Sequence, residues 1–258
     1  MNGAALDIGL FLPAFLAGLL VLATHVPLGL QVLQRGIVFI DLAIAQVAGL
    51  GVMAADHLGF EPTGWAGQVA AVSAALAGAS LLIWTEKRWP EIQEALIGVL
   101  FVLAATGGML LLAHHPHGGE SLRDLLVGQI LWVNYAQLVP VALFSLVLLF
   151  VWFGYAERLG RAGFYVLFAF AVTLSVQLVG IYLVFSSLII PALAVRNLPA
   201  SRRLAIGYLL GAVAYGVGLM LSAAYDLPSG AVIVWVLAGV AVSLKLVVKF
   251  RAMGGSGG

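Results

Sequence analysis

Charge is scarce in this chain. Lys, Arg, Asp and Glu make up 9% of its 258 residues, against 63% hydrophobic residues. No water-soluble fold hides that much apolar surface, because small domains leave much of their area in water. Cysteine is absent, which excludes disulfides, thiolate metal sites and a cysteine nucleophile. There is no GxxxxGK[ST] loop to cradle a nucleotide. Ser229-Gly230 lacks the surroundings of an intramembrane serine protease, and no other nucleophile stands beside a base. A net charge of +1 offers no basic field for nucleic acid. The first apolar stretch has neither a basic lead-in nor a cleavage site, so it reads as a retained span rather than a signal peptide.

What remains is a series of charge-free windows: 8–34, 36–55 (interrupted only by Asp41), 62–85, 95–113, 132–156, 162–195, 204–225 and 227–244, with a short amphipathic piece at 121–131. Helices are the expected spanning element, since lipid offers open backbone groups no partner. The expected fold is an all-α polytopic membrane protein with about eight or nine transmembrane helices of ~20 residues. Residues 1–253 read as one transmembrane domain and 254–258 (GGSGG) as a linker-like tail. No room is left for a soluble domain, so if the job needs ATP hydrolysis or a soluble receptor, another chain must supply it. The 31 glycines, and runs such as AAVSAALAGAS at 70–80, suit close helix packing.

The charges then report topology. Arg35, Lys87, Arg88, Arg158, Arg161, Arg196, Arg202, Arg203, Lys245, Lys249 and Arg251 can all lie on one face. The opposite face receives Asp7, Asp56, Glu61, Glu120, Asp124 and Asp226, with Arg123 its one basic residue. Positive charge collects inside, which places the N-terminus outside and the C-terminus in the cytoplasm of a multi-pass inner-membrane protein. Arg161 and Arg196 are then both cytoplasmic with 34 residues between them, too few for two full spans of ~20 residues each. The segment is expected to cross and return as a shorter, broken or re-entrant helix near residues 184–196. Ser186, Ser187 and Pro191 are the expected break, because proline removes a backbone donor. The alternative is a single tilted span, which strands Arg196, Arg202 and Arg203 on the wrong face.

Few residues could carry chemistry. Asp41 lies inside an apolar window, where a carboxylate is expensive and normally faces water or a partner. It is read as a transport-path residue and candidate metal contact. The alternative is a helix-end charge paired with Arg35. Gln46 lies further along the same helix, lining the path or bonding a neighbouring helix. His25, before Pro27, is a further path candidate or a helix–helix hydrogen bond. His114, His115, His117 and Glu120 form an outward loop cluster that could capture a metal ion or be merely solvated. Ala156, Glu157, Arg158, Leu159, Gly160 and Arg161, within YAERLGRAGF at 155–164, read as a solvated connection or as a docking helix for a cytosolic partner.

Four motifs, in order, resemble one family: PLGLQVLQRGIVFIDLAIAQVAGLGV (27–52), EALIGVLFVLAATGGMLLL (94–112), SLRDLLVGQILWV (121–133) and LVGIYLVFSSLIIPALAVR (178–196). Together they span nearly the whole chain, and it is identified as resembling the membrane permeases of ABC importers for zinc, manganese and iron. The resemblance implies a permease homodimer with a translocation path, two cytosolic ATPase subunits that bind the ATP, and an extracytoplasmic metal-binding receptor. By position, 155–164 corresponds to the ATPase docking helix. No catalysis and no resident cofactor are expected in this chain. The family usually carries Asp-x-x-x-His in its second helix, an i, i+4 pair on one face. Here Asp41 is followed by Ala45 and Gln46. Either His25 supplies the imidazole, or Asp41 and Gln46 alone line the route, or the cargo is not a bare zinc ion. The rival readings are a stand-alone secondary transporter with Asp41 as proton relay, an intramembrane metalloenzyme using the outer histidines, and a scaffold without transport.

Overall fold

The computed structural model describes residues 8–62, 64–112, 126–128 and 130–254, without the side chains of residues 8, 156, 157 and 248–254. Its helices are α1 (Ile8–Arg35), α2 (Ile40–His57), α3 (Trp65–Arg88), α4 (Gln93–Leu112), α5 (Tyr135–Val179), α6 (Ile181–Val195), α7 (Ala200–Tyr225) and α8 (Ser229–Gly254). No described residue lies in a β-strand. α5 is two arms joined at Gly160, whose φ of 57° and ψ of −159° interrupt the helix. Its arms correspond to two crossing stretches, Tyr135–Tyr155 and Arg158–Val179. Seven described stretches are long and apolar enough to cross a bilayer, and α2 and α6 are shorter. The chain is an all-α, multi-pass membrane protein, with eight or nine crossing segments as its windows imply.

Small residues set the packing. Gly18, Leu22 and Val26 of α1 meet Tyr215, Gly211 and Gly207 of α7, so rising numbers on one helix match falling numbers on the other. The two helices are antiparallel, each large side chain filling the gap left by a glycine. Gly29 of α1 sits against the Leu188 carbonyl and Ala192 of α6, and Val195 approaches Gly207. α6 therefore ends at the Arg35 end of the bundle. Arg161, at the bend of α5, pairs with Glu86 near the end of α3, and Arg35 lies over the Phe164 ring at 4.3 Å. The ends of α1, α3 and α6, the start of α7 and the α5 bend share one end, where the basic residues gather. At the opposite end, Gly128 abuts Val179 and Gly180, and Gly230 abuts the Val127 carbonyl.

The 162–195 window thus crosses and returns, as the arginines demand, but the break differs from expectation. Ser186, Ser187 and Pro191 all lie buried within continuous α6. The chain breaks instead at Gly180, with φ 82° and ψ 162°, a backbone state that side chains with a Cβ avoid. Proline removes one ladder bond, which neighbouring helices can make good in a membrane bundle.

Pro27 shows how. Its ring leaves the Ala23 carbonyl without a ladder donor, and the Tyr208 hydroxyl of α7 donates to that oxygen at 3.1 Å. Tyr208→Phe should lower stability by about 0.6–1.7 kcal/mol, the range for such bonds in membranes. Thermal unfolding of the solubilised protein reads this, and an unchanged midpoint would show the carbonyl satisfied without the tyrosine.

Candidate functional site

α2 lies among four other helices. It packs on α3 and α4, with further contacts to α5 and α6, and Asp41, Ala45, Gln46 and Ala48 are all buried. Seven of its 18 residues are alanine or glycine, so neighbours approach closely. Asp41 lies in its first turn, 1% exposed. Neither of its carboxylate oxygens has a hydrogen-bond partner among the described residues. Arg35, its partner in the alternative reading of the sequence, lies over the Phe164 ring instead. A carboxylate this deep without a counter-ion is costly, whereas the favourable field of a helix N-terminus returns only ~1 kcal/mol. Such a group is suited to a mobile cation.

Gln46 is also buried, five residues along the same helix. It does not share the Asp41 face, because five residues turn a helix well past one full revolution. His25 lies on α1, which packs on α5, α6 and α7 rather than on α2. Its Nδ1 is 3.0 Å from the Val21 carbonyl and 3.0 Å from the Thr24 hydroxyl, both within its own helix. Its Nε2 is buried without a partner. No hydrogen bond or ion pair joins His25 to Asp41 among the described residues. Two apolar recesses flank α1, one bordered by Thr24, Pro27 and Trp152 and the other, of about 320 Å³, by Leu16, Leu20 and Tyr135. Asp41 and Gln46 line neither.

The outer cluster His114, His115, His117 and Glu120 falls outside the described residues. Among those that are described, no three His, Asp or Glu side chains gather to hold a metal. The segment 156–161 straddles the Gly160 bend, with Arg158, Gly160 and Arg161 exposed and Leu159 half-buried.

Sequence reasoning overlooked the polar knot behind this segment. Gln93, at the first position of α4, accepts from the Thr85 hydroxyl at 3.0 Å and donates to the Leu82 carbonyl at 3.0 Å and the Tyr165 hydroxyl at 3.3 Å. Its neighbour Glu94 accepts from the Phe39 backbone N–H at 3.2 Å. The only sequence signal was two adjacent polar residues opening an apolar helix.

Comparison with known proteins agrees with this architecture. The model of the ABC 3 transport family matches residues 7–159 and 154–248. An uncharacterized membrane protein, slr2045, of Synechocystis sp. is 29% identical over 86% of this chain and 85% of its own length. The high-affinity zinc uptake system membrane protein ZnuB of Haemophilus influenzae is 24% identical, over 84% of this chain and 90% of its own. Among solved structures, PsaBC from Streptococcus pneumoniae in complex with Fab superposes with a TM-score of 0.71 at 20% identity, covering 92% of this chain and 90% of that one. A structure described as a metal-chelate type ABC transporter in an inward-facing conformation gives 0.64 at 21% identity, covering 91% and 85%. With both family matches together spanning nearly all the helices described above, the chain belongs to the ABC 3 transport family of ABC transporter membrane permeases.

Proposed function

We propose that this chain is the permease subunit of an ATP-driven importer of divalent metal ions, with Asp41 on the translocation path. The observation that carries the reading is a buried carboxylate with no hydrogen-bond partner among the described residues, on a helix packed among four others. A divalent cation passing between the helices would supply the missing charge, and the bare Asp41 oxygens are hard ligands suited to it. The ZnuB relative, by its name, takes up zinc; whether zinc, manganese or iron is the cargo here turns on what joins Asp41 in place of the imidazole that Ala45 lacks.

The assembly would place two copies of this chain in the inner membrane, N-terminus outside and C-terminus in the cytoplasm, by the charge rule. Two ATPase subunits would bind at the basic end, where 156–161 protrudes, and a soluble receptor would deliver cargo to the other end. Alternating access would come from the permease halves rocking about the path. The test is uptake of Zn²⁺ and Mn²⁺ into vesicles carrying the permease with and without its ATPase. Uptake is expected only with the ATPase and ATP, and should be lost in Asp41→Ala. Uptake by the permease alone would refute the ATP-driven mechanism, and unchanged uptake in Asp41→Ala would remove that residue from the path.

A further inference from the structure

α2 starts badly by its own means. It begins after Phe39, whose side chain offers no acceptor for the free amides of the first turn. The acceptor comes from another helix, 55 residues away in sequence: Glu94 Oε1 takes the Phe39 N–H, and the same carboxylate faces the Val38 amide. The start of the Asp41 helix is thus tied to the start of α4.

The residue before Glu94 is tied elsewhere. Gln93 is 4% exposed, and its Nε2 reaches the Tyr165 hydroxyl. Tyr165 is five residues past Gly160, on the α5 arm that leaves the docking segment. Its hydroxyl also faces Glu86, the partner of Arg161 at 3.9 Å. Gln93 further holds Thr85 and Leu82 at the end of α3. Two adjacent side chains therefore join the arm behind the docking segment to the helix that carries Asp41. The link runs from the Tyr165 hydroxyl through Gln93, one peptide unit and Glu94 to the Phe39 amide.

The buried Gln93 bonds resist sliding, because parting them leaves both partners desolvated and unpaired, and Glu94, one residue on, reaches Phe39 from that fixed base in a more exposed bond. At Gly160 the opposite holds. A Cβ there would touch nothing within 4 Å, and its φ of 57° with ψ of −159° suits glycine alone. The bend is the compliant point and the knot is the rigid one. We propose that Gln93 and Glu94 are positioning residues that carry movement of the docking segment from α5 to the start of α2, and so to Asp41. The proposal rests on the path reading above and adds the route by which ATP hydrolysis would reach it.

A knot that merely staples the fold would, on removal, depress stability, uptake and ATP hydrolysis together. A coupling element would depress cargo moved per ATP. The experiment uses the assembled importer in vesicles, with Zn²⁺ and Mn²⁺ as probes, and measures uptake and ATP hydrolysis in parallel. Glu94→Leu and Gln93→Leu are expected to lower metal moved per ATP by about fivefold or more while hydrolysis continues. Glu94→Gln keeps an acceptor for the Phe39 amide and should restore most of the ratio. Tyr165→Phe removes one hydroxyl, should lower the ratio, and should add nothing to Gln93→Leu in the double variant. Parallel falls in uptake and hydrolysis, or a wild-type ratio in Glu94→Leu, would overturn the proposal. Should the leucine variants fail to assemble, the ratio in Tyr165→Phe decides alone. Asp41→Asn in the same vesicles separates the two levels. If it stops uptake while Glu94→Leu keeps the normal ratio, the path reading stands and the coupling route falls; if it leaves uptake intact, both fall.

Discussion

Asp41→Asn should stop metal uptake while leaving the protein at least as stable as before. The two halves of that expectation have one cause. The carboxyl group is 1% exposed and has no hydrogen-bond partner among the described residues, so burying an ionisable group here burdens the fold. An amide of the same shape is cheaper to bury. The charge does gain from lying in the first turn of α2, but that gain is ~1 kcal/mol at most sites and does not offset burial of an unpaired ion. The thermal midpoint should therefore hold or rise. During transport the balance reverses, because a desolvated cation loses its counter-charge. Removing one member of a buried charge pair costs about 3 kcal/mol or more, roughly a hundredfold. Measuring uptake and thermal midpoint on the same preparation separates this from misfolding. A fall in both would mark Asp41 as structural, and unchanged uptake would take it off the path.

Gly180→Ala should be among the most damaging small substitutions at the described residues. Two penalties add at this position. The φ of 82° is strained for any residue with a Cβ, at about 1–3 kcal/mol. The added methyl would also press on the Val127 carbonyl carbon at 2.6 Å and the Gly128 Cα at 2.7 Å, backbone atoms that cannot swing aside, for a further 1–3 kcal/mol or about that. Gly128 abuts Val179 and Gly180 in return, so neither backbone can retreat without the other. A loss of roughly 3 kcal/mol is a large share of ordinary stability. Gly154→Ala is the control, since a Cβ there meets nothing within 4 Å inside a helix. Midpoint and monodispersity should fall sharply for Gly180→Ala and stay level for Gly154→Ala; equal behaviour would show that the turn tolerates a Cβ.

These residues also show what a sequence reveals of such a protein. The spans were legible because lipid imposes one rule on every crossing helix, and the return within 162–195 followed from counting residues between Arg161 and Arg196. The break was misplaced because proline is conspicuous and Gly180 is one of 31 glycines, its backbone angle being a product of the Gly128 contact across the fold. Asp41 was legible as a carboxylate in an apolar window, but its freedom from Arg35 was not, since it depends on Phe164 drawing that guanidinium away. Gln93 and Glu94 stayed hidden for the same reason. Their partners Tyr165 and Phe39 lie 72 and 55 residues distant, and nothing local shows that these two side chains reach across the fold.

The shortness of α6 has a consequence for the membrane itself. Fifteen residues at 1.5 Å each rise about 22 Å, some 8 Å less than a typical hydrocarbon core. Beside the turn that starts it stand an exposed glutamine, Gln177, and an exposed tyrosine, Tyr182, side chains that seek the headgroup level. Lipids bordering this corner must dip to meet them, pinching the bilayer locally. Host-membrane thickness thereby becomes a mechanical load on α6, and a thicker bilayer would pull against the tightly packed turn at Gly180.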